Sequence, residues 1–171
     1  AATLPWSNDM ATALTKIGGY QFRVLAADWG GGGQEEVSFT KFAVLGILPT
    51  GEIHCIYGRQ SMTPHDHVRE AKMAIALLSQ FRCHGFAHDY TGAGSLRETL
   101  VVQAGYPESR IAAIAYQRAA AGNIMQFIPR TEQHPRDYYR VDKARSLLLT
   151  CNLIKFKRIK FFQPDYEDAD N

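Results

Sequence analysis

The chain has 171 residues, which is long enough for one domain with a sizeable core. Its residues are 46% hydrophobic and 21% charged, and no apolar run approaches the roughly 20 residues that a membrane span needs, so no membrane partner is expected. The net charge of +2 is too small to indicate nucleic-acid binding by itself, and Cys55, Cys83 and Cys151 lack any metal-ligand spacing.

Residues 1–20 look like a leader or linker segment. They combine Pro5-Trp6-Ser7 with a weakly helical stretch that ends at Gly18-Gly19, and they show no core pattern of their own. We expect this segment to join the domain to something upstream.

The first half of residues 21–33 predicts a buried strand, and Asp28 ends it. Phe22 and Val24 suit a pleated surface, and the run is short. Four glycines follow at 30–33, so a metal ion or a phosphate backbone could approach the carboxylate closely. An aspartate that caps a tight hairpin would produce the same pattern.

The next segment predicts an antiparallel hairpin and then a helix. Residues 38–48 are rich in Phe, Val, Ile and Leu, and residues 53–57 return as a strand after a turn. Thr63 is the expected N-cap of the helix, with Pro64 at its first position. Apolar residues then recur at spacings of three and four, so this helix buries one stripe.

A second strand-to-glycine motif occupies residues 83–94. Its mostly apolar segment ends in Asp89, and a glycine-containing turn follows. Ser95 and Glu98 have the spacing of a capping box, which predicts the start of another helix.

Asp28 and Asp89 therefore each end a predicted strand beside glycines. If the two strands are neighbours in one sheet, both carboxylates emerge at the same edge. Carboxylates that are forced together repel, and a divalent cation between them relieves the repulsion. Hard oxygen ligands favour Mg²⁺ or Mn²⁺ over zinc.

The rest of the chain predicts a strand at 111–116, a further short extended piece at 122–128 and a helix at 141–153, followed by a Lys- and Phe-rich stretch at 154–162. Basic side chains here alternate with tyrosines and could track a phosphate backbone, although a solvated helix face would look similar. The candidate DNA-binding residues are Arg130, Arg136, Arg140, Lys143 and Arg145.

A hairpin start followed by alternating helices and strands predicts an α/β fold with a mixed central sheet flanked by helices. This layout and both aspartate motifs resemble the ribonuclease H-like superfamily, and within it the nuclease domain of the large terminase subunit of tailed bacteriophages. The motifs are Ala27-Asp28-Trp29-Gly30 and Asp89-Tyr90-Thr91-Gly92-Ala93-Gly94, with a late helix at 143–147 that leads into 159–161. The resemblance covers residues 21–162.

The resemblance implies a metal-dependent endonuclease that cuts concatemeric viral double-stranded DNA during genome packaging. Two Mg²⁺ or Mn²⁺ ions would take part, with Asp28 bridging both and Asp89 holding one. The resemblance also implies an ATPase motor domain upstream on the same polypeptide. The small terminase subunit and the portal protein would be its partners, and the host cell cytoplasm its location.

The chain departs from the family in one respect. The family supplies a further acid from a helix after the last extended segment, and no such helix is visible before Asn171. Residues 163–171 form an acidic tail, in which Asp165, Asp168 or Asp170 could substitute. We expect the third acidic ligand to lie beyond Asn171.

Other functions fit some of the same features. A non-catalytic DNA-binding or assembly module of the same fold would share the basic stripe and would not need a third acid. A junction resolvase or transposase-type nuclease would use the same acids on a different DNA shape. An actin-like or sugar-kinase phosphotransferase needs two related lobes, and the chain shows no second copy of the hairpin-plus-glycine unit.

Overall fold

The computed structural model describes residues 2–31, 38–63, 66–118 and 122–163. These residues form one nine-stranded sheet and four α-helices. Within these ranges, no helix is both long enough and apolar enough to cross a membrane.

The elements follow one another along the chain in a mixed order. The strands are β1 (Ala2–Ser7), β2 (Phe22–Asp28), β3 (Lys41–Ile47), β4 (Ile53–Gln60), β5 (Gly85–Asp89), β6 (Ile111–Tyr116), β7 (Met125–Ile128), β8 (Tyr138–Val141) and β9 (Ile159–Gln163). The helices are α1 (Met10–Lys16), α2 (His67–Gln80), α3 (Gly94–Gln103) and α4 (Lys143–Lys155). Short 3₁₀ turns occupy Ile17–Gly19 and Glu108–Arg110.

The strand order across the sheet is β1-β9-β4-β3-β2-β5-β6-β8-β7. Strands β2, β3 and β4 form an antiparallel meander. Strands β5, β6 and β8 then add in parallel beside β2, and β7 closes that edge antiparallel to β8. The predicted mixed sheet, with a hairpin start followed by parallel strands, is therefore confirmed.

One face of the sheet carries the hydrophobic core. Leu25 of β2 and Phe86 of β5 are almost fully buried there, together with Leu77 of α2 and Val101 of α3. Helix α4 lies over the other face, where it lines a cavity with the ends of β2 and β5. Because none of its residues is buried, this face stays accessible to a ligand.

The N-terminal segment is part of this fold. Strand β1 pairs in parallel with β9, and Leu4 and Ala13 are 2% and 0% exposed within the core cluster. The prediction that residues 1–20 have no core pattern is therefore wrong. Each element of this segment buries few side chains, and β1 depends on a partner from the far end of the chain, so the sequence shows no local pattern. An upstream domain stays a prediction.

Two helix starts also differ from the sequence prediction. Asp66, not Thr63, caps α2, and its carboxylate accepts the Arg69 amide hydrogen at 2.9 Å. Helix α3 begins after Ala93, so Ser95 lies inside its first turn and not at the N-cap, and the helix start has no side-chain cap. Glu98 turns into the protein and bonds to His88 instead of closing the predicted capping box. The partners of the Glu98 carboxylate are His88 and Arg136. A hydrogen bond from the charged Arg136 guanidinium is stronger than one from the backbone amide that a capping box would supply.

We expect Leu4→Ala to lower the free energy of unfolding by about 2–5 kcal/mol, because it removes a buried side chain and leaves a cavity. Leu148→Ala is the matched control, since Leu148 is 64% exposed and its loss should change stability by less than about 0.5 kcal/mol. Urea denaturation measures both. Equal, small effects would show that β1 is not part of the cooperative unit.

Candidate active site

Parallel pairing of β2 with β5 brings Asp28 and Asp89 together. The register matches Ala27 with His88, so the two aspartates follow side by side on neighbouring strands. Residues that match in a parallel pair point to the same face of the sheet. Both aspartates line one cavity of about 410 Å³, which α4 covers from the other side.

The Asp89 carboxylate is held in place by the next turn. Its Oδ1 atom accepts hydrogen bonds from the Thr91 amide at 2.8 Å and from the Thr91 hydroxyl at 2.6 Å. Hydrogen bonds of this kind orient a ligating carboxylate and are typical supports of metal sites. The other oxygen, Oδ2, makes no hydrogen bond to any residue that the structure describes.

Tyr116 and Lys143 line the same cavity as the two acids. Burial raises the pKa of Tyr116, and the negative charges of Asp89 and Asp28 raise it further. The Lys143 ammonium lies 5.8 Å from the centre of the Tyr116 ring, within cation–π range. A cation of the protein is therefore already present beside the acidic pair.

A buried ion pair holds the chain just after Asp28. The Arg97 guanidinium bonds to Glu70 at 2.6 Å and donates to the Gly30 carbonyl oxygen at 3.1 Å. The Thr40 hydroxyl donates to Glu70 at 2.6 Å and accepts the Gly30 amide hydrogen at 2.8 Å. The amide hydrogen and the carbonyl oxygen of Gly30 are thus both held by side chains that are almost fully buried. Removing one partner of such a pair typically costs about 3–5 kcal/mol.

A second buried chain of hydrogen bonds joins the two acid-bearing strand ends. Trp29 follows Asp28, and its indole nitrogen donates to His88 Nδ1 at 2.9 Å. An indole N–H only donates, so Nδ1 is the acceptor and Nε2 carries the ring hydrogen. That Nε2 donates to Glu98 at 2.7 Å. Because His88 directly precedes Asp89, these bonds fix the spacing of the acids.

Glu98 continues this chain to Arg136, which donates to it at 2.7 Å. Burial raises the pKa of Glu98, but the hydrogen bonds from His88 and Arg136 outweigh that effect and lower it overall. The ionised carboxylate is therefore the stable form in the fold.

Two glycines are required here by close backbone approaches. A Cβ atom on Gly30 would collide with the backbone of Ser38 and Thr40, and one on Gly94 would collide with the Asp89 carbonyl oxygen. Packing around the strand ends thus accounts for these two glycines, whereas the sequence suggested ligand access.

The predicted DNA-binding residues fall into separate places. Arg136 is 12% exposed, and besides Glu98 its guanidinium bonds to Asp137 and the Ile111 carbonyl oxygen. It is committed to the fold, which departs from the sequence prediction. The exposed Arg130 pairs with Asp137 and with Glu108.

Of the other three predicted cations, Arg140 lies on β8, and Lys143 and Arg145 lie on α4. Val141 lines the acidic cavity, so its neighbour Arg140 points to the opposite face of the sheet by strand alternation. Lys143 and Arg145 are exposed in the first turn of α4, beside the acids.

The donors present suit a hard divalent cation. Two carboxylates meet in the cavity, and Mg²⁺ is usually bound by one or two carboxylates together with water and substrate phosphates. Among the residues that the structure describes, no group of three or more His, Cys, Asp or Glu could hold a metal. Asp165, Asp168 and Asp170 lie outside the described residues.

No family model matches the sequence, and no curated protein matches it. Among solved structures, the fold is similar to the human cytomegalovirus terminase nuclease domain, with a TM-score of 0.54 and 14% sequence identity over 94% of this chain and 78% of that chain. Likeness at this identity concerns the fold alone. The chain therefore has a terminase-nuclease-like fold, and the predicted ribonuclease H-like fold class is confirmed.

We expect either Asp28→Asn or Asp89→Asn to lower the pKa of Tyr116, because each removes a negative charge that disfavours the phenolate. Asp66→Asn is the control, since Asn caps α2 as well as Asp does. NMR of ring-labelled tyrosine, assigned with Tyr116→Phe, follows the titration. An unchanged Tyr116 pKa in both variants would contradict the shared cavity.

Proposed function

We propose that this chain is the nuclease domain of a genome-packaging terminase, a metal-dependent endonuclease for double-stranded viral DNA. One observation carries the proposal. Asp28 and Asp89 end adjacent parallel strands and share a cavity, in a fold similar to that of a terminase nuclease domain. Two carboxylates beside each other on rigid strands are a suitable arrangement for phosphodiester hydrolysis with divalent metal.

Asp28 and Asp89 would hold the Mg²⁺ or Mn²⁺ ions, of which we propose two. The chemistry that such ions supply when bound is activation of a water nucleophile and stabilisation of the leaving 3′ oxygen. Thr91 keeps the Asp89 carboxylate turned into the cavity through its two hydrogen bonds. Lys143, which lines the same cavity, would attract the phosphate that is cut.

The virus class and the assembly partners are also proposals. The sequence motifs resemble tailed-bacteriophage terminases, whereas the similar solved domain comes from human cytomegalovirus. We propose a phage protein with an upstream ATPase motor domain on the same polypeptide. It would work with a small terminase subunit and a portal protein in the host cell cytoplasm.

A second candidate is a non-catalytic DNA-binding or assembly module of the same fold. The grouping of only two acids within the described part of the chain favours it, since the family's metal site uses a further acid. This module would bind DNA through the same surface but would not cut it.

We expect Asp28→Asn and Asp89→Asn each to reduce the rate of Mn²⁺-dependent plasmid cleavage by more than about 100-fold. Loss of a group that only supports a metal ligand lowers activity by about 10- to 100-fold, and loss of the ligand itself should lower it further. Thr91→Val removes the hydroxyl hydrogen bond to Asp89, and we expect it to reduce the cleavage rate by about 10- to 100-fold. Gel analysis of supercoiled plasmid measures the rates. Asp66→Asn and Thr99→Val are the matched controls and should keep wild-type activity.

Calorimetry of Mn²⁺ binding separates the two candidate functions. Heat of Mn²⁺ binding that Asp28→Asn and Asp89→Asn abolish, together with cleavage by the wild type, supports the nuclease. DNA binding by the wild type with neither Mn²⁺ binding nor cleavage would overturn it in favour of the non-catalytic module.

A further inference from the structure

A second cavity adjoins the one that holds the acids. It has a volume of about 470 Å³ and is lined by Arg118, from the segment after β6, and by Lys143 and Arg145 of α4. Tyr116 and Lys143 line both cavities, so the two adjoin at these side chains. The acidic pair and this basic cavity therefore lie next to each other.

The basic cavity carries uncompensated positive charge. Arg118, Lys143 and Arg145 are all exposed, and none of them lies within 4.0 Å of a carboxylate among the residues that the structure describes. Asp142 also lines this cavity, but its carboxylate caps α4 by accepting the Arg145 amide hydrogen at 3.0 Å. Among the described residues, three cations thus line this cavity with a single acid, one oxygen of which accepts that hydrogen bond.

The two cavities have opposite electrostatic character. The acids repel a phosphate until metal neutralises them, whereas the adjoining cations attract phosphate without metal. A nucleic-acid strand that presents one phosphate to Asp28 and Asp89 would continue past Tyr116 towards Arg118.

We propose that this basic cavity binds the phosphodiester backbone of the strand that is cut, next to the scissile phosphate, and that Arg118 is its principal contact. The inference rests on the proposed nuclease function and adds the path of the strand to it. Arginine suits this role because its planar guanidinium donates two parallel hydrogen bonds to a phosphate. Arg145 and Lys143 complete the cavity from α4.

Salt dependence of DNA binding tests the role of Arg118. Each phosphate neutralised by a basic side chain contributes about 0.9 to the slope of log K against log salt for double-stranded DNA. We expect Arg118→Gln to reduce the magnitude of that slope by about 0.9, which corresponds to one phosphate contact, and Arg118→Lys to leave the slope unchanged. Arg69→Gln is the matched control, because Arg69 is exposed on α2, on the face of the sheet away from the acids.

The measurement uses fluorescence anisotropy of a short labelled duplex with the full chain, with Ca²⁺ as an oxygen-seeking cation in place of Mg²⁺. A slope that falls in Arg118→Gln alone supports the proposal. A slope in Arg118→Gln equal to that of Arg69→Gln would overturn it.

Plasmid cleavage by the wild type is measured in parallel, so that the two proposals fail separately. Cleavage with an unchanged slope in Arg118→Gln would refute the backbone site and leave the nuclease standing. A reduced slope without cleavage would support the backbone site and refute the nuclease.

Discussion

The site depends on two like charges that the sheet forces into neighbouring positions. Parallel pairing of β2 with β5 aligns Asp28 with Asp89, and ionised carboxylates at such positions repel. The backbone ladder fixes the spacing of the two strand ends, and Lys143, which lines the same cavity, is the protein's own cation beside them. We propose that a divalent cation bound between the two carboxylates would relieve this repulsion.

Buried polar side chains keep that pairing in place. Trp29 and His88, the immediate neighbours of the two acids, are hydrogen-bonded to each other at 2.9 Å. Arg97 and Glu70 hold the turn that follows Asp28. Buried ion pairs of this kind often add little net stability compared with apolar residues of the same size. Their position beside the acids indicates that their role here is to set the geometry of the site.

Local patterns in the sequence predicted the strands that carry the two acids. The side-chain contacts between elements far apart in the sequence were not predicted. The strand at 111–116 was predicted with the bounds that the structure has, because a short apolar run shows its period locally. Glu70 and Arg97 were missed as partners, since they meet only after α2 and α3 pack together. The sequence does contain one indication of such buried partners, which is a charged residue on the otherwise apolar stripe of a helix, as Glu70 is on α2. Arg118 was missed because it is isolated in the sequence and joins α4 only through the order of β6 and β8.

The central claim is that Asp28 and Asp89 together bind a divalent cation. Anomalous diffraction from a crystal soaked in Mn²⁺ tests it most directly. The account predicts a Mn²⁺ peak ligated by both carboxylates, at the oxygen distances of about 2.0–2.6 Å seen for hard divalent cations. The absence of a peak at full soaking, or a peak that touches neither aspartate, would contradict it, and the two acids would then be residues that only shape their turns.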